Sequence, residues 1–407
     1  MTRPSDGPHA GFSDMQWFMF HQRNVVFYAA FSMTPFDRAR LDAMVAEFVA
    51  LTPQVTTGYV GAVPGAPLDP AIVRAIASLE DVTDFAGFPE ARLGTGFEVF
   101  ADPALPLFRF RCANRRGGAD AQGRAGFLLV RVSHALVEGF DSAQLSRSHP
   151  TERQNVPQSA PVRPSRLAQG LSVLAVPLHL LAATILRGPR MDRIFATRVW
   201  DRRRIAAFAR SLGVRQRSLM YALILNGLFG AGATGGKRHL SLLYSVLDSR
   251  SGLVRDGFIR MRTLQARFSN DPDFATFVRR VDRRFSEIER ADSGFNQTLN
   301  TASVRLHRGL NRLLPFAYSP KVFNLIPFDV VIGLIPPHYL GGSLTADLIE
   351  PVWCGTTTPG LTSCVIVPNR HSFTLGLYLT PEQAAGLPRM DASLAGLAAG
   401  PVAPALT

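Results

Sequence analysis

One stretch of the sequence combines residue types that can do acid–base chemistry: GFLLVRVSHALVEGFDSAQL, residues 126–145. An apolar run within it ends on His134, and Glu138 and Gly139 follow. Histidine can act as a general base without strong perturbation, because its ordinary pKa lies near neutrality. A strand end would hold the imidazole ring, and a glycine would permit a tight turn after it. The residues alone leave two readings open: a general base delivered by a buried strand, or a structural histidine with Glu138 facing water.

A glycine-rich segment elsewhere in the sequence matches a cofactor-binding motif. GAGATG, residues 230–235, matches the GxGxxG form of dinucleotide-binding loops. That fingerprint needs a strand before the glycines and a helix after them, because the pyrophosphate rests on the N-terminus of the helix. Here a predicted helix precedes and a predicted strand follows, so we interpret these glycines as a helix cap and a turn. The sequence also contains no GxSxG nucleophile elbow, which removes the main signal of a serine hydrolase.

The metal-binding residue types are scattered. Cys112, Cys354 and Cys364 show neither CxxC spacing nor nearby histidines, which argues against a zinc site or a disulfide framework and fits a reducing compartment. His134 and Glu138 are spaced like two metal ligands on a helix, but no third ligand is identifiable. We predict neither a metal nor a bound cofactor.

The charge balance is strongly positive. The formal net charge is +13 and arginine carries nearly all of it, since Lys237 and Lys321 are the only lysines. This favours an acidic partner, such as a phosphorylated cofactor, an acidic carrier protein or an anionic membrane surface, although genomic base composition would also produce it. No nucleic-acid-binding motif is present, so nucleic acid is not an expected partner. The first 18 residues lack the basic-then-apolar pattern of a signal peptide, which predicts a cytoplasmic protein.

Hydrophobic periodicity predicts a mixed α/β chain. β-branched and aromatic residues favour strands, and apolar residues at helical spacing favour amphipathic helices, each bounded by proline or glycine. The strand that leads to His134 is expected to be buried on both faces. The predicted strands lie at 24–33, 105–113, 126–133, 239–250 and twice within 364–382, and the predicted helices at 36–53, 201–213, 217–232 and 273–290.

A segment in the middle of the chain divides it into two halves. Residues 150–166 are rich in proline, serine and glutamine, which is typical of a linker. Residues 167–188 are mostly apolar and flanked by arginines, which is compatible with a membrane span, a helix in the membrane interface or a helix packed on the protein itself. We therefore predict a first subdomain at 1–150, a linker and apolar helix at 151–195, and a second subdomain at 196–407.

SHALVEGFDSAQL resembles the HxxxDG motif of the condensation-domain and chloramphenicol-acetyltransferase-like superfamily of acyltransferases. Within it, the wax ester synthase/diacylglycerol acyltransferase and alcohol acyltransferase branches are the most similar. Further segments resemble parts of that family along most of the chain, at 12–20, 36–55, 104–112, 205–228 and 240–250.

The resemblance implies two similar α/β subdomains with mixed sheets and an active-site tunnel between them. It implies that His134 is the general base, removing a proton from an alcohol or amine that attacks an acyl thioester. Glu138 would stand in the place of the motif's structural aspartate, with Gly139 beside it and Arg250 as its ion-pair partner. Thr362 and Ser363 are the candidates for oxyanion or substrate contacts.

The chain departs from the family pattern in two places. Glu138 is one methylene longer than the aspartate of the motif, so its pairing with an arginine must shift or the loop must relax. Ser133 stands where the diacylglycerol branch often has a second histidine. A misplacement of about 1 Å at a catalytic group can cost orders of magnitude in rate, so both departures bear on catalytic competence.

The leading hypothesis is an acyltransferase that moves an acyl group from acyl-CoA or acyl carrier protein onto an alcohol or amine, with a lipid-type acceptor and a peripheral position at the inner membrane face. The alternative from another class is a non-catalytic protein of the same fold that binds an acyl chain, a lipid or a protein partner. A third hypothesis, binding to nucleic acid or a membrane surface, rests on charge alone.

Overall fold

The computed structural model of the chain is mixed α/β, as the periodicity predicts. It describes residues 20, 25–51, 53–60, 63–86, 106–137, 193–230, 239–247, 259–267, 273–290, 309, 329–334, 347–357 and 362–399. The strands are β1 (Val25–Ser32), β2 (Thr57–Val60), β3 (Val63–Pro67), β4 (Ala77–Val82), β5 (Phe108–Arg115), β6 (Gly126–Ser133), β7 (Ile194–Asp201), β8 (His239–Leu247), β9 (Ile259–Arg267), β10 (Val330–Leu334), β11 (Leu348–Thr357), β12 (Thr362–Pro368) and β13 (Ser372–Leu379). The helices are α1 (Arg38–Leu51), α2 (Pro70–Ala75), α3 (His134–Val137), α4 (Arg202–Leu212), α5 (Gln216–Phe229), α6 (Phe274–Arg290), α7 (Pro381–Ala384) and α8 (Leu387–Ala399), with a 3-10 turn at Pro53–Thr56.

The first sheet places β6 at its centre, in the order β11-β1-β6-β5-β4. β6 runs antiparallel to both neighbours, β1 and β5, and every residue of it is buried. Burial on both faces is the reason that the run GFLLVRVS is almost continuously apolar rather than alternating. The prediction that this strand is covered on both sides is confirmed.

Helix α1 covers one face of this sheet. The apolar residues predicted at helical spacing are buried: Leu41, Met44, Val45 and Phe48. The Phe48 ring lies 5.2 Å from that of Phe108 and 5.4 Å from that of Phe110, measured between centroids. Full burial of one such side chain contributes about 1.5–3 kcal/mol, so this contact anchors the helix to β5.

The second sheet has the order β7-β13-β12-β10-β8-β9 and mixes parallel with antiparallel pairs. Helix α5 is buried along almost its whole length and packs against α4, α6 and α8. The glycine predicted to end α4 does so, because Gly213 adopts a left-handed conformation with φ of 66°. The amphipathic face predicted for α6 also faces the core, with Phe277, Val278, Val281 and Phe285 buried.

Strand β11 joins the two sheets. It lies in the second half of the sequence, yet it pairs with β1 at the end of the first sheet. It also packs against β12 and β13 of the second sheet. A strand from the second half of the sequence therefore completes the sheet whose other strands come from the first half, and the predicted division at 1–150, 151–195 and 196–407 stays a prediction.

The glycine motif at 230–235 follows a helix, as predicted. Helix α5 ends at Phe229, Gly230 caps it through its backbone N–H, and β8 begins at His239. Residues 231–235 themselves lie outside the described part of the chain, as does the apolar segment 167–188. Among the described residues, no helix is both long and apolar enough to cross a membrane.

Candidate functional site

His134 lies where β6 passes into the one-turn helix α3. The backbone there is held firmly, because Ser133 donates its N–H to the carbonyl of Leu107 at 2.8 Å. Ala135 and Leu136 are buried in the apolar cluster that α1 also enters. The imidazole therefore projects from a backbone that packing fixes on both sides of it.

Burial sets the charge of this histidine. The His134 side chain is partly exposed, but its Nδ1 atom is buried and has no hydrogen-bond partner among the described residues. Burial lowers the pKa of His134 below its ordinary value, and the polar groups of its own backbone oppose this more weakly. The imidazole is thus neutral at pH 7, which is the form that can accept a proton.

The end of β6 and the end of β11 lie on either side of the first residue of β1. Val25 pairs with Ser133 on one side and with Thr357 on the other. Two interstrand spacings separate β6 from β11, which corresponds to about 10 Å between their backbones. The threonines at the end of β11 and the histidine at the end of β6 therefore share one end of the first sheet.

The structure places the two predicted oxyanion contacts on opposite faces of β12. Thr362 faces the helices, where its Oγ1 accepts from Arg193 Nη1 at 2.9 Å and donates to Gln383 Oε1 at 2.6 Å. Ser363 faces β11, and its Oγ donates to the backbone carbonyl of Thr356. Both residues are buried and both hydroxyl hydrogens point to protein acceptors, so their role as oxyanion contacts stays a prediction.

Comparison with solved structures finds similar folds that span nearly the whole chain. A wax ester synthase/diacylglycerol acyltransferase from Marinobacter aquaeolei VT8 matches with a TM-score of 0.54 and 14% identity, covering 95% of this chain and 96% of that one. A trichothecene 15-O-acetyltransferase from Fusarium sporotrichioides matches with a TM-score of 0.58 and 9% identity, covering 97% and 99%. A cyclization-docking bidomain of a nonribosomal peptide synthetase from Sorangium cellulosum matches with a TM-score of 0.53 and 13% identity, covering 98% and 88%.

The chain has the fold of the condensation-domain and chloramphenicol-acetyltransferase-like acyltransferases. The predicted fold class is thereby confirmed, while the tunnel stays a prediction. No family model matches the sequence, and no curated protein matches it. At identities of 9–14% the likeness shows the fold alone.

Three predicted site residues do not belong to the described part of the chain. Glu138, Gly139 and Arg250 lie outside the described residues. The structure therefore places the catalytic candidate itself and leaves the predicted pairing of Glu138 with Arg250 a prediction.

Two residues near the site were not predicted from the sequence. Thr356 is the first; its Oγ1 is buried without a hydrogen-bond partner among the described residues, and the run of threonines at 356–358 was the available signal. Arg131 is the second; it is only 1% exposed and lies on β6 between Phe27 and Arg109 of the neighbouring strands. The sequence signal for Arg131 was a lone arginine within an apolar run. Arg131 places a permanent positive charge inside the sheet.

The three cysteines of the chain are not suited to nucleophilic catalysis. All three are buried and free. Burial raises the pKa of Cys112 and of Cys354 to about 12, and raises that of Cys364 as well. Because the thiolate is the nucleophilic form, these thiols stay protonated and inert at neutral pH. Within the described ranges, no group of three histidine, cysteine or acidic residues is arranged to hold a metal ion.

Proposed function

We propose that the protein is an acyltransferase that uses His134 as its general base and moves an acyl group from a thioester to an alcohol or amine. The observation that carries this proposal is a neutral histidine held at a strand end on an acyltransferase fold. The donor is acyl-CoA or an acyl carrier protein, and the net charge of +13 suits either, since both present phosphate or acidic groups.

The reaction is a direct displacement. His134 takes the proton from the acceptor hydroxyl or amine while that oxygen or nitrogen bonds to the thioester carbonyl carbon. The carbonyl electrons move to oxygen, giving a tetrahedral oxyanion. They return as the carbon–sulfur bond breaks, and the leaving thiolate takes the proton from the His134 imidazolium. No covalent enzyme intermediate forms, which agrees with the protonated state of the buried cysteines.

We extend the proposal to the residues that support the base and to the acceptor. Glu138 holds the loop after His134 through an ion pair with Arg250, in the place of the motif's aspartate. The acceptor is of a lipid type, and the apolar segment 167–188 brings the protein to a membrane surface where such acceptors reside. The structural neighbours include a wax ester synthase/diacylglycerol acyltransferase, which is consistent with this acceptor class.

The first experiment measures thiol release from acyl-CoAs of several chain lengths, with and without long-chain alcohols, diacylglycerol and amines. We expect release that depends on the acceptor. His134→Ala should lower kcat by roughly 10²–10⁴-fold, the usual contribution of a general base. His371→Ala is the matched control, because His371 is an exposed histidine on the turn between β12 and β13; its activity should equal that of the wild type.

The competing hypothesis is a non-catalytic binding protein of the same fold, which the change from aspartate to Glu138 in the motif favours. It predicts that acyl-CoA binds without thiol release and that Glu138→Asp restores none. Acceptor-dependent release that survives in His134→Ala would instead contradict the role of this histidine while leaving an acyltransferase in place. If no acyl-CoA binds, the same assay is repeated with acyl carrier protein as donor.

A further inference from the structure

A groove lies between helices α1 and α2 in the first half of the chain, and its cavity volume is about 560 Å³. Small-molecule sites in proteins usually have volumes of about 300–1,000 Å³, so the groove is large enough for a ligand. His134 is not among the described residues that line it. The groove therefore lies away from the imidazole of the candidate base.

Most of the side chains that line the groove are apolar: Val45, Ala46, Val49, Leu68, Pro70 and Val73. Val45 and Val73 are buried in the core beneath it. Val49 and Leu68 pack against that core only in part, so some of their apolar surface stays open. Removing apolar surface from water is favourable, which makes an apolar chain a suitable occupant.

Contacts between α1 and the segment that carries α2 define the two ends of the groove. Arg38, the first residue of α1, donates to the carbonyl of Arg74 near the end of α2 at 3.2 Å. At the opposite end, Leu68 donates its N–H at 2.7 Å to the carbonyl of Thr56, which follows the last turn of α1. The two helices therefore run in opposite directions along the groove.

The two ends differ in polarity. Asp42 and Arg74 line the groove where α1 begins, and Val49 lies about 10 Å further along α1 at 1.5 Å per residue. The Asp42 carboxylate forms an ion pair with Arg38 at 2.9 Å. The Arg74 side chain is exposed, and within the described ranges its guanidinium has neither a hydrogen bond nor an ion pair. Of these three charges, one positive charge is left over.

We propose that the groove between α1 and α2 binds a single-chain aliphatic carboxylate, with its chain along α1 and its carboxylate against the guanidinium of Arg74. A guanidinium presents paired N–H donors that match the two oxygens of a carboxylate. The chain then covers the open apolar surface of Val49 and Leu68. Binding is non-covalent, and the site is additional to the thioester site and independent of the proposed acyltransferase activity.

The first measurement compares decanoate with decyltrimethylammonium by isothermal titration calorimetry, each below its micelle concentration. The two probes have chains of the same length and head groups of opposite charge, so the comparison isolates the head group. We expect decanoate to bind about three- to fivefold more tightly, the upper range for an exposed charge pair. Equal affinity, or tighter binding of the cation, would overturn the proposal.

The role of the guanidinium is tested at Arg74. Arg74→Gln removes the charge and should abolish the preference for decanoate, whereas Arg74→Lys keeps the charge and should retain most of it. Arg203→Gln is the matched control, because Arg203 is an exposed arginine on α4, and its preference should equal that of the wild type. A preference that persists in Arg74→Gln would contradict the contact with Arg74.

The role of the groove is tested at Ala46, which is exposed and lines it. Ala46→Phe fills the space for the chain and should abolish binding of decanoate. Ala43→Phe is the matched control, since Ala43 is an exposed alanine of the same helix that does not line the groove. A ligand that binds the folded state raises the melting temperature, so decanoate should raise it in Ala43→Phe and not in Ala46→Phe. Equal binding by both variants would place the ligand elsewhere.

A competition experiment separates the groove from the thioester site. The unreactive thioether analogue decyl-CoA should leave decanoate bound, and displacement of decanoate by this analogue would overturn the groove as a separate site. Thiol release by a protein that does not bind decanoate contradicts the groove and leaves the acyltransferase in place. Binding that depends on Arg74 and Ala46, without thiol release, retains the groove and contradicts the catalytic function.

Discussion

Strands β6 and β11 carry the two sides of the candidate site, and they are held in opposite ways. β6 lies at the centre of the first sheet, has antiparallel neighbours on both sides and is buried by apolar residues throughout. β11 lies at the end of that sheet order and begins with partly exposed residues. Buried polar side chains from the second sheet attach it, chiefly Asn369, Thr374 and Ser363.

This difference shows how His134 and Thr356 are each positioned. His134 follows directly from a strand whose burial is local and hydrophobic, so its place depends on the packing of one sheet. Thr356 depends on contacts between two sheets. Hydrophobic burial is non-directional, whereas hydrogen bonds demand defined geometry, so the position of β11 depends on defined polar contacts in addition to its pairing with β1.

The largest effect is expected from a cavity under β6. Leu128→Ala should lower the free energy of unfolding by about 2–5 kcal/mol, because Leu128 is fully buried and its removal leaves a cavity that the core cannot close. Urea denaturation measures this. Val199→Ala on β7, where the side chain is 52% exposed, should change the free energy of unfolding little. An equal loss in the two variants would contradict the conclusion that burial stabilises β6.

A somewhat smaller effect is expected where β11 meets the β12–β13 turn. Asn369 Oδ1 accepts from Val352 N–H at 3.1 Å, and its Nδ2 donates to the Val352 carbonyl at 3.4 Å. Asn369→Leu leaves these buried groups unsatisfied, and we expect a loss of about 1–3 kcal/mol in unfolding free energy. Arg370→Ala is the control, since Arg370 is exposed and bonds to Glu350 through its backbone N–H.

The result for Asn369→Leu also bears on catalysis. If polar contacts position β11, the folded variant should lose kcat, because the strand that carries Thr356 loses two of its bonds to the second sheet. Full activity in the folded fraction would show that pairing with β1 alone positions β11.

The fit between β1 and β11 can be tested by one added methyl group. A Cβ atom at Gly355 would lie only 2.0 Å from Cζ of Phe27 on the neighbouring strand. Gly355→Ala should therefore destabilise the protein by about 1–3 kcal/mol through overpacking. Gly396→Ala on helix α8, where nothing lies near the added atom, should stabilise it by about 0.5–1 kcal/mol. Thermal denaturation distinguishes the two signs.

The smallest expected effect is a shift in pH dependence. Burial lowers the pKa of His134, so the acid limb of kcat/KM should lie below 6.5, the ordinary histidine value. In the window between the folded pKa and 6.5, the unfolded chain binds a proton that the folded protein does not, so stability falls as the pH falls. An acid limb above 6.5 would contradict the lowering of the His134 pKa by burial. His134→Ala should remove this fall in stability between the folded pKa of His134 and pH 6.5.

Local patterns predicted much of the fold. The helices over 36–53 and 273–290 and the strand before His134 appear within a few residues of their predicted bounds. These elements have strong periodicity and clear end signals, such as the glycine after α4. The sequence did not reveal that Thr362 and Ser363 face opposite sides of β12, because strand alternation shows that neighbours diverge and does not show which face meets which partner.

The sequence by itself determined that the chain is mixed α/β and that His134 ends a buried apolar strand. These properties depend on residues close together in the chain, and hydrophobic periodicity reports them directly. Only the tertiary structure decided that Thr356 lies across β1 from His134. Thr357 and Val25, which join these strands, are 332 residues apart, and pairing at that separation depends on the whole packed core rather than on any local signal.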